Sequence, residues 1–498
     1  MRKSISLLLA LLMLVPLASC GADPAVEDTT AADTTAAVTP ETTVPESVET
    51  QPAEDADFLE LKKQLPEANF DGAEYLMLED TNSQWWILSL YSESMSGEII
   101  NDTVFERNKF VEELYNVSIA YKESNQVGDD IKAAVMSGTD AYDVVWERLS
   151  SLTVPAQSGH LLNLFEFKGF DFEAEWWDTD SVDALTLNDK LFFACNDINT
   201  HAMESCSAIF FSKTLVENNN LDNPYTLVRE KKWTLDKMDE MITAVIGDTN
   251  GNGTRDEGDT FGMVTGVGQY LSLINGAGER LILRERTDNG DTFTLNIGTE
   301  SFIDLTMKVC KIMNDKNRTV LVGDDPWGNS AFTKDQSLFY VMQLGSVSGP
   351  RANMETDFGI LPFPMRDESQ GYYTTSVEHT VQAMSVPAIA KELEMIEKVT
   401  EAMARYSDLR LIDAYYDTTL KGKIARDKDT SEMLDILTGN RTFDFSRIYD
   451  AVWHVYSEFY PFIQVNGGKK LSSFAASMNR RFEKLVADTL AEYNRIEG

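Results

Sequence analysis

Between residues 58 and 390, short apolar runs alternate with stretches whose apolar residues recur every three or four positions. Tyr75-Leu76-Met77-Leu78 is a short run of the strand kind, and residues 102–115 then place Val104, Phe105, Phe110, Val111, Leu114 and Tyr115 at helical spacing. Val117-Ser118-Ile119-Ala120-Tyr121 alternates with a period of two, as a strand with one buried face does. Residues 131–136 predict a short helix stopped by Gly138, and Tyr142-Asp143-Val144-Val145-Trp146 predicts another strand. Thr234 is placed to cap a helix whose inner face is Leu235, Met238, Met241, Ile242 and Val245. Residues 302–313 form a further amphipathic pattern, Phe358-Gly359-Ile360-Leu361 a strand ended by Pro362, and helical patterns dominate beyond residue 388. No internal repeat is visible. This alternation predicts an α/β architecture with mainly parallel sheets, whose ligands bind at the carboxyl ends of strands. A chain of 498 residues exceeds one ordinary core, so two lobes are expected.

The first 57 residues break the pattern. Arg2 and Lys3 precede an apolar run over residues 5–16, which is the length of a leader core and short of the about 20 residues that cross a bilayer. Leu17-Ala18-Ser19-Cys20 resembles a lipobox, which implies a leader over 1–19 and lipidation of Cys20 as the mature N-terminus. Ten acidic residues and no Lys or Arg lie between Asp23 and Asp57, among Thr, Ala, Pro and Val. Such a segment cannot bury enough apolar area to offset its ordering entropy, so 20–57 is expected to be a disordered acidic linker. The expected location is extracytoplasmic, with the lipid anchor holding the chain to the cell membrane.

Hydrophobic content of 43% with 10% aromatics is that of a globular protein. The net charge of −38, which becomes −40 once Arg2 and Lys3 leave with the leader, disfavours nucleic acid and tilts the ligand toward neutral or cationic molecules. With Cys20 lipidated, Cys195, Cys206 and Cys310 remain, an odd number. A Cys195–Cys206 bridge is possible, but buried free thiols are the simpler expectation, and no spacing resembles a zinc or iron–sulfur site.

Several ordered segments resemble the extracellular solute-binding proteins of ABC importers, in the branch that includes maltose-binding protein. Gly138-Thr139-Asp140-Ala141-Tyr142-Asp143-Val144-Val145-Trp146 followed by Gly159-His160-Leu161-Leu162-Asn163-Leu164 resembles one signature of that family. Lys190-Leu191-Phe192-Phe193 and Ile209-Phe210-Phe211-Ser212-Lys213 resemble its first interlobe crossing, with Ser212 where Asn is usual. Asn223-Pro224-Tyr225 with Lys232-Trp233-Thr234 resembles a helix entry, and Asp357-Phe358-Gly359-Ile360-Leu361-Pro362-Phe363-Pro364 a second-lobe return strand. The resemblance covers about residues 65 to 390. It implies a type II periplasmic-binding-protein-like fold, two α/β lobes closing over a ligand, with a helical C-terminal part. The implied N-terminal lobe is 58–200 with 336–387, and the C-terminal lobe 201–335 with 388–498. It also implies a monomer that hands its ligand to ABC permease subunits.

Two groups of residues carry candidate chemistry. Asp248-Thr249-Asn250-Gly251-Asn252-Gly253-Thr254-Arg255-Asp256-Glu257-Gly258-Asp259 matches a twelve-residue calcium loop. Asp248, Asn250, Asn252, Asp256 and Asp259 supply side-chain oxygens, Thr254 a carbonyl and Gly253 the sharp turn. Asp259 stands where a longer Glu is usual. The role expected of Ca²⁺ is structural, since the loop follows a helix; the alternative is an Asn/Gly-rich turn without metal. For a carbohydrate ligand, apolar sugar faces stack on Trp and Tyr, and hydroxyls need polar partners. Gln84, Trp85 and Trp86, Trp146 and Glu147, Asn196 and Asp197, and Tyr372 and Tyr373 stand after or at strand ends; Tyr270 resembles a second-lobe contact in position. The resemblance implies that Trp146 touches sugar. The Trp176-Trp177 pair is expected to pack on a helix.

Catalysis is not expected. His160, His201, His379 and His454 are dispersed, and Gly345-Ser346-Val347-Ser348-Gly349 has Val where a nucleophile elbow needs Ser. The expected function is capture of a mono- or oligosaccharide in an interlobe cleft. Alternatives are a peptide or other small nutrient, a sensor role, or an extracellular carbohydrate-active enzyme. Replacing Cys20 by Ala should release the protein from membranes into the soluble fraction and leave ligand affinity unchanged; a fall in affinity would show that anchor and binding part are not separable.

Overall fold

A computed structural model of the chain describes residues 56–83, 90–323, 327–421 and 428–496. Cys20, Gln84, Trp85, Trp86 and the expected leader and linker lie outside these residues, apart from the linker's last two positions. The strands in chain order are β1 (Ala73–Asp80), β2 (Val117–Ser124), β3 (Val144–Arg148), β4 (Ser207–Ser212), β5 (Phe261–Thr265), β6 (Ile282–Thr287), β7 (Gly290–Leu295), β8 (Thr319–Leu321), β9 (Ser337–Gln343), β10 (Phe358–Leu361), β11 (Thr375–Val377), β12 (Gln382–Ser385) and β13 (Arg441–Phe443). They form a four-stranded sheet, β12-β3-β1-β2, a five-stranded sheet, β10-β4-β9-β5-β8, and two small ribbons, β11-β13 and β6-β7.

Local sequence accounts for most of the framework. In the helix Ile99–Tyr115, Val104, Asn108, Val111 and Tyr115 turn inward at spacings of four, three and four, and Asn116 ends it in the left-handed region at φ 49°. Val127–Ser137 stops at Gly138, φ 69°, where a side chain other than Gly or Asn would be strained. Thr234 accepts a hydrogen bond from the Lys237 amide and starts Leu235–Val245, whose five expected inner residues are all buried. Thr299 does the same for Glu300–Met313.

The sheets are mixed rather than mainly parallel. β1 pairs in parallel with β2 and β3, and β5 with β8 and β9, as the alternating pattern predicts. The antiparallel members β4, β10 and β12 adjoin the stretches where the chain crosses between sheets. Two crossings run side by side, bridged at Ala194–Met384 and Cys206–Val377. The proposed division of the chain also needs correction. Within 336–387, β9 and β10 hydrogen-bond in the five-stranded sheet and only β12 joins the four-stranded one. Within 388–498, the helix Leu393–Ser407 packs on Ile99–Tyr115 and β1, and Thr400 hydrogen-bonds Tyr75 at 2.7 Å. Such long-range partners leave no periodic mark in a sequence. Cys195, Cys206 and Cys310 are buried free thiols. Trp176 and Trp177 lie outside regular helix, and both indole N–H groups donate to Glu401 on the helix Leu393–Ser407, at 2.8 and 3.1 Å.

Arg107 ties this side of the molecule together. It is fully buried and donates to the Ile198 carbonyl at 2.6 Å, the Leu90 carbonyl at 2.5 Å, Ser407 Oγ at 3.1 Å and Asn108 Oδ1 at 3.0 Å. Those acceptors come from the first crossing, the loop after β1, the end of Leu393–Ser407 and its own helix. Arg107→Ala would strip several buried acceptors at once, and each orphan costs about 1–3 kcal/mol. Urea denaturation should show a loss of at least about 3 kcal/mol. A loss below about 1 kcal/mol would mean that water replaces the guanidinium.

Candidate functional site

Parallel strands deliver their carboxyl ends to one edge of a sheet, where ligands of open α/β sheets bind. At that edge of the four-stranded sheet β1 finishes in Glu79-Asp80 and β3 in Glu147-Arg148, while β12 enters with Gln382. The register places Glu79 beside Trp146, Trp146 beside Met384, Glu147 beside Ala383 and Arg148 beside Gln382. Two carboxylates, Asp80 and Glu147, thus meet one guanidinium, with Glu79 the neighbouring residue on β1. Arg148 Nε donates to Asp80 at 3.0 Å and to Glu147 at 3.3 Å, and the Arg148 amide donates to Glu147 at 2.8 Å. Asp80 also accepts from the Asn82 amide and Nδ2, and Gln382 Nε2 donates to the Asp80 carbonyl at 3.0 Å. Glu79 accepts from the Tyr121 hydroxyl at 2.5 Å, while its Oε1 is buried with no partner among the described residues. Tyr121 stacks on Tyr91, centroids 5.4 Å apart and rings 3° from parallel.

These acids are sealed from water, Glu79 being 2% and Glu147 3% exposed. Burial pushes both carboxyls up to about 7; the Asp80 charge adds to this at Glu147, and Arg148 reverses only part of it. Beside them lies a cavity of about 450 Å³ lined by Asn125, Gln126, Lys132, Glu147, Arg148 and His160, among others. Its walls are the first half of Val127–Ser137 and the middle and end of Leu149–Gln157. A cavity of about 500 Å³ elsewhere, lined by Asp222, Glu230, Lys232 and Lys237, is a surface groove whose charges pair with one another.

The second sheet reaches this edge through the residues after β5. A side chain at Gly268 would sit 3.4 Å from Arg447 Nη2 and 3.7 Å from Glu378 Oε1. Arg447 donates to Glu378 at 2.7 Å, Glu378 Oε2 faces His379 Nδ1 at 3.2 Å, and the Arg447 guanidinium lies 5.0 Å above Tyr456. Burial opposes the Glu378 charge, but Arg447 and His379 more than reverse that and hold its carboxyl well below the usual range. The Ser150 amide donates to the His379 carbonyl, joining this pair to the segment that follows β3.

Of the expected ligand residues described, Glu147 alone lines the strand-end cavity. Trp146 is fully buried, its Nε1 without a partner among the described residues, and Asn196 is buried, donating to Met384 Sδ and accepting from the Ile198 amide. Asp197 carries a carboxyl raised well above the usual range by burial and by Asp408 beside it. Tyr270 is buried, its hydroxyl donating to Asn314 and its ring 5.9 Å from Tyr460. Tyr373 is buried with its hydroxyl on the Val228 carbonyl, and Tyr372 is 53% exposed. Asp248, Asn250, Asn252, Thr254, Asp256 and Asp259 lie together in the loop before β5, at the strand end opposite the cavity. Glu79, Asp80, Arg148, Gln382, Tyr91, Tyr121, Glu378 and Arg447 were not singled out by sequence. The apolar run 75–78 could have been extended two residues to its charged end; Glu378 and Arg447 carry no local signal.

No family model matches the chain, and no curated protein matches it in sequence. Solved structures do. RafE from Streptococcus pneumoniae, in its apo form, is 13% identical, with 87% of this chain and 100% of that chain covered at a TM-score of 0.51. UgpB from Mycobacterium tuberculosis, in complex with glycerophosphocholine, is 16% identical, with 84% and 98% covered at a TM-score of 0.53. The fold is that of a two-lobed periplasmic binding protein. In a periplasmic-binding-protein fold the two sheets flank a cleft, and here the Glu79–Arg148 edge and the Glu378–Arg447 pair lie where they approach.

The raised carboxyls set a pH dependence. Between about 4.5 and about 7 the unfolded chain loses protons that folded Glu79 and Glu147 keep, so their contribution to stability falls as pH rises through that window. Glu147→Gln removes one of these groups. Its melting temperature relative to the parent chain should rise from pH 5 to pH 8, and a difference independent of pH would contradict burial of a titrating acid.

Proposed function

We propose that the chain is a lipid-anchored, extracytoplasmic solute-binding protein that captures a carbohydrate between its lobes and delivers it to an ABC importer. The observation that carries the reading is the set of buried Glu79, Asp80, Glu147 and Gln382 around half-buried Arg148 at the carboxyl edge of a sheet, in a fold built to close over a ligand. Sugar hydroxyls donate and accept, so they can satisfy carboxylates and a guanidinium together. The Tyr91–Tyr121 stack supplies an apolar aromatic platform beside Glu79. Closure then follows from differential contact: a ligand touching both edges stabilises the closed form over the open one. Among the described residues no helix is long and apolar enough to cross a membrane, which is compatible with an anchor of lipid alone. No nucleophile or metal-activated water is needed for this role, and the protein is not proposed to be an enzyme.

A second reading has its own support. Two carboxylates against one Arg148, with Glu79 next to them in the chain, favour a solute with a cationic group, and UgpB is solved with glycerophosphocholine. Thermal-shift and tryptophan-fluorescence titrations with neutral mono- and oligosaccharides, amino sugars, glycerophosphocholine and short peptides decide between them. A neutral saccharide should bind saturably and lose at least tenfold in affinity on Glu147→Ala. Binding confined to cationic solutes would replace the first reading with the second, and binding confined to peptides would overturn both.

A further inference from the structure

We infer that the loop from Asp248 to Asp259 is a calcium site that pins the connection between the helix Leu235–Val245 and β5. The two ends of the loop are bridged, Gly247 and Thr260 exchanging hydrogen bonds of 3.1 and 3.0 Å. Asp248 accepts from the Asn252 amide at 3.1 Å and the Gly253 amide at 2.8 Å, which turns the chain around that carboxylate. Gly253 makes the turn at φ 72°. Asp256 accepts from Asn250 Nδ2 at 2.9 Å and Asn252 Nδ2 at 2.6 Å, so the third, fifth and ninth loop positions are within reach of one another.

An Asn/Gly-rich turn without a metal would have all of this. What it does not account for is Asp259. This side chain is 6% exposed, and Oδ2 accepts from the Asp256 amide at 3.0 Å, while Oδ1 has no partner among the described residues. A sealed carboxylate oxygen left unpaired demands a positive partner. Asp259 also lines a cavity of about 350 Å³ together with Asp248, Gly253 and Thr254, the first, sixth and seventh loop positions. The one basic residue of the loop, Arg255, is engaged elsewhere, its guanidinium 5.1 Å from the Trp327 ring and its Nε donating to the Lys316 carbonyl at 2.5 Å. Among the described residues no three His, Cys, Asp or Glu side chains are placed to hold a metal by themselves. The donors here are mixed: carboxylates, the Asn250 and Asn252 amide oxygens and the Thr254 carbonyl. All are hard oxygens, which selects Ca²⁺ over softer metals, and the wide, adaptable loop disfavours the small octahedral Mg²⁺.

The site stands at the start of β5, about 16 Å of strand away from the residues that approach Glu378 and Arg447. It is therefore a stability device, and its fate is independent of the proposed solute-binding role. After dialysis against a chelator, the full chain is titrated with CaCl₂ and with MgCl₂ by calorimetry and thermal melting. Calcium should bind at one site with Kd at or below about 1 mM and raise the melting temperature, with magnesium far weaker. Asp259→Asn should leave the melting temperature in chelator unchanged or higher and abolish the calcium increment. Asp256→Ala, at a half-buried position, should weaken calcium at least tenfold without unfolding the chain. No heat and no melting shift with calcium, or the same increment in parent and Asp259→Asn, would overturn the assignment. Unchanged saccharide binding in these variants is expected whether or not calcium binds.

Discussion

Arg447 and Glu378 lie 2.7 Å apart with both side chains almost closed off from water, and four separate stretches of chain must arrive correctly for that pair to exist. Glu378 belongs to the return crossing between the sheets, and its amide donates to the Ser205 carbonyl on the outward crossing. Arg447 comes from the helix Phe445–Ile448. Gly268 after β5 leaves its side-chain position free beside both groups, and His379 couples them to the segment after β3. A pair so enclosed adds little net stability over an apolar equivalent. Removing one partner, however, leaves a buried charge at a cost of about 3–5 kcal/mol. Its consequence is positional: the crossings, the β5 edge and the C-terminal helices are held in one arrangement because any other strands a charge.

The strand-end acids obey the opposite logic. Arg148 pairs with both Asp80 and Glu147, and Glu79 accepts from the Tyr121 hydroxyl on one of its oxygens. Nothing about folding requires carboxylates at these positions, since apolar residues at the same edge would pack without a desolvation penalty. Groups kept where they are costly, beside a cavity at the carboxyl edge of a sheet, are what the proposed recognition role requires.

What could be read in the sequence was what is local. Helix faces such as Leu235, Met238, Met241, Ile242 and Val245, and stops such as Gly138, depend on neighbours within one or two turns. Sheet membership does not. β12 lies beside β3 across more than 230 residues, and Leu393–Ser407 packs on a helix nearly 300 residues earlier, so the expected lobe boundaries at 336–387 and 388–498 failed where those pairings decide. The site was legible only at Glu147. Trp146, one residue earlier, is fully buried, whereas Glu147 lines the strand-end cavity, a difference that a motif does not show. Tyr270 and Tyr373 stand at element ends as expected, yet their hydroxyls are taken up by Asn314 and Val228, partners that sequence distance hides.

Burial gives these acids their second property. In water a carboxylate exchanges one hydrogen bond for another with little net gain, whereas in a sealed, low-dielectric edge each donor brought to it counts for more. The penalty that raises Glu79 and Glu147 to about 7 is thus also the free energy that a ligand's donors can relieve. The Arg447–Glu378 lock, its carboxylate already held by a guanidinium and facing His379, offers less of that gain and holds the frame fixed instead. A closely paired seam beside an edge whose buried acids are only partly partnered is an arrangement in which a solute's contacts can go into recognition rather than into rebuilding the fold.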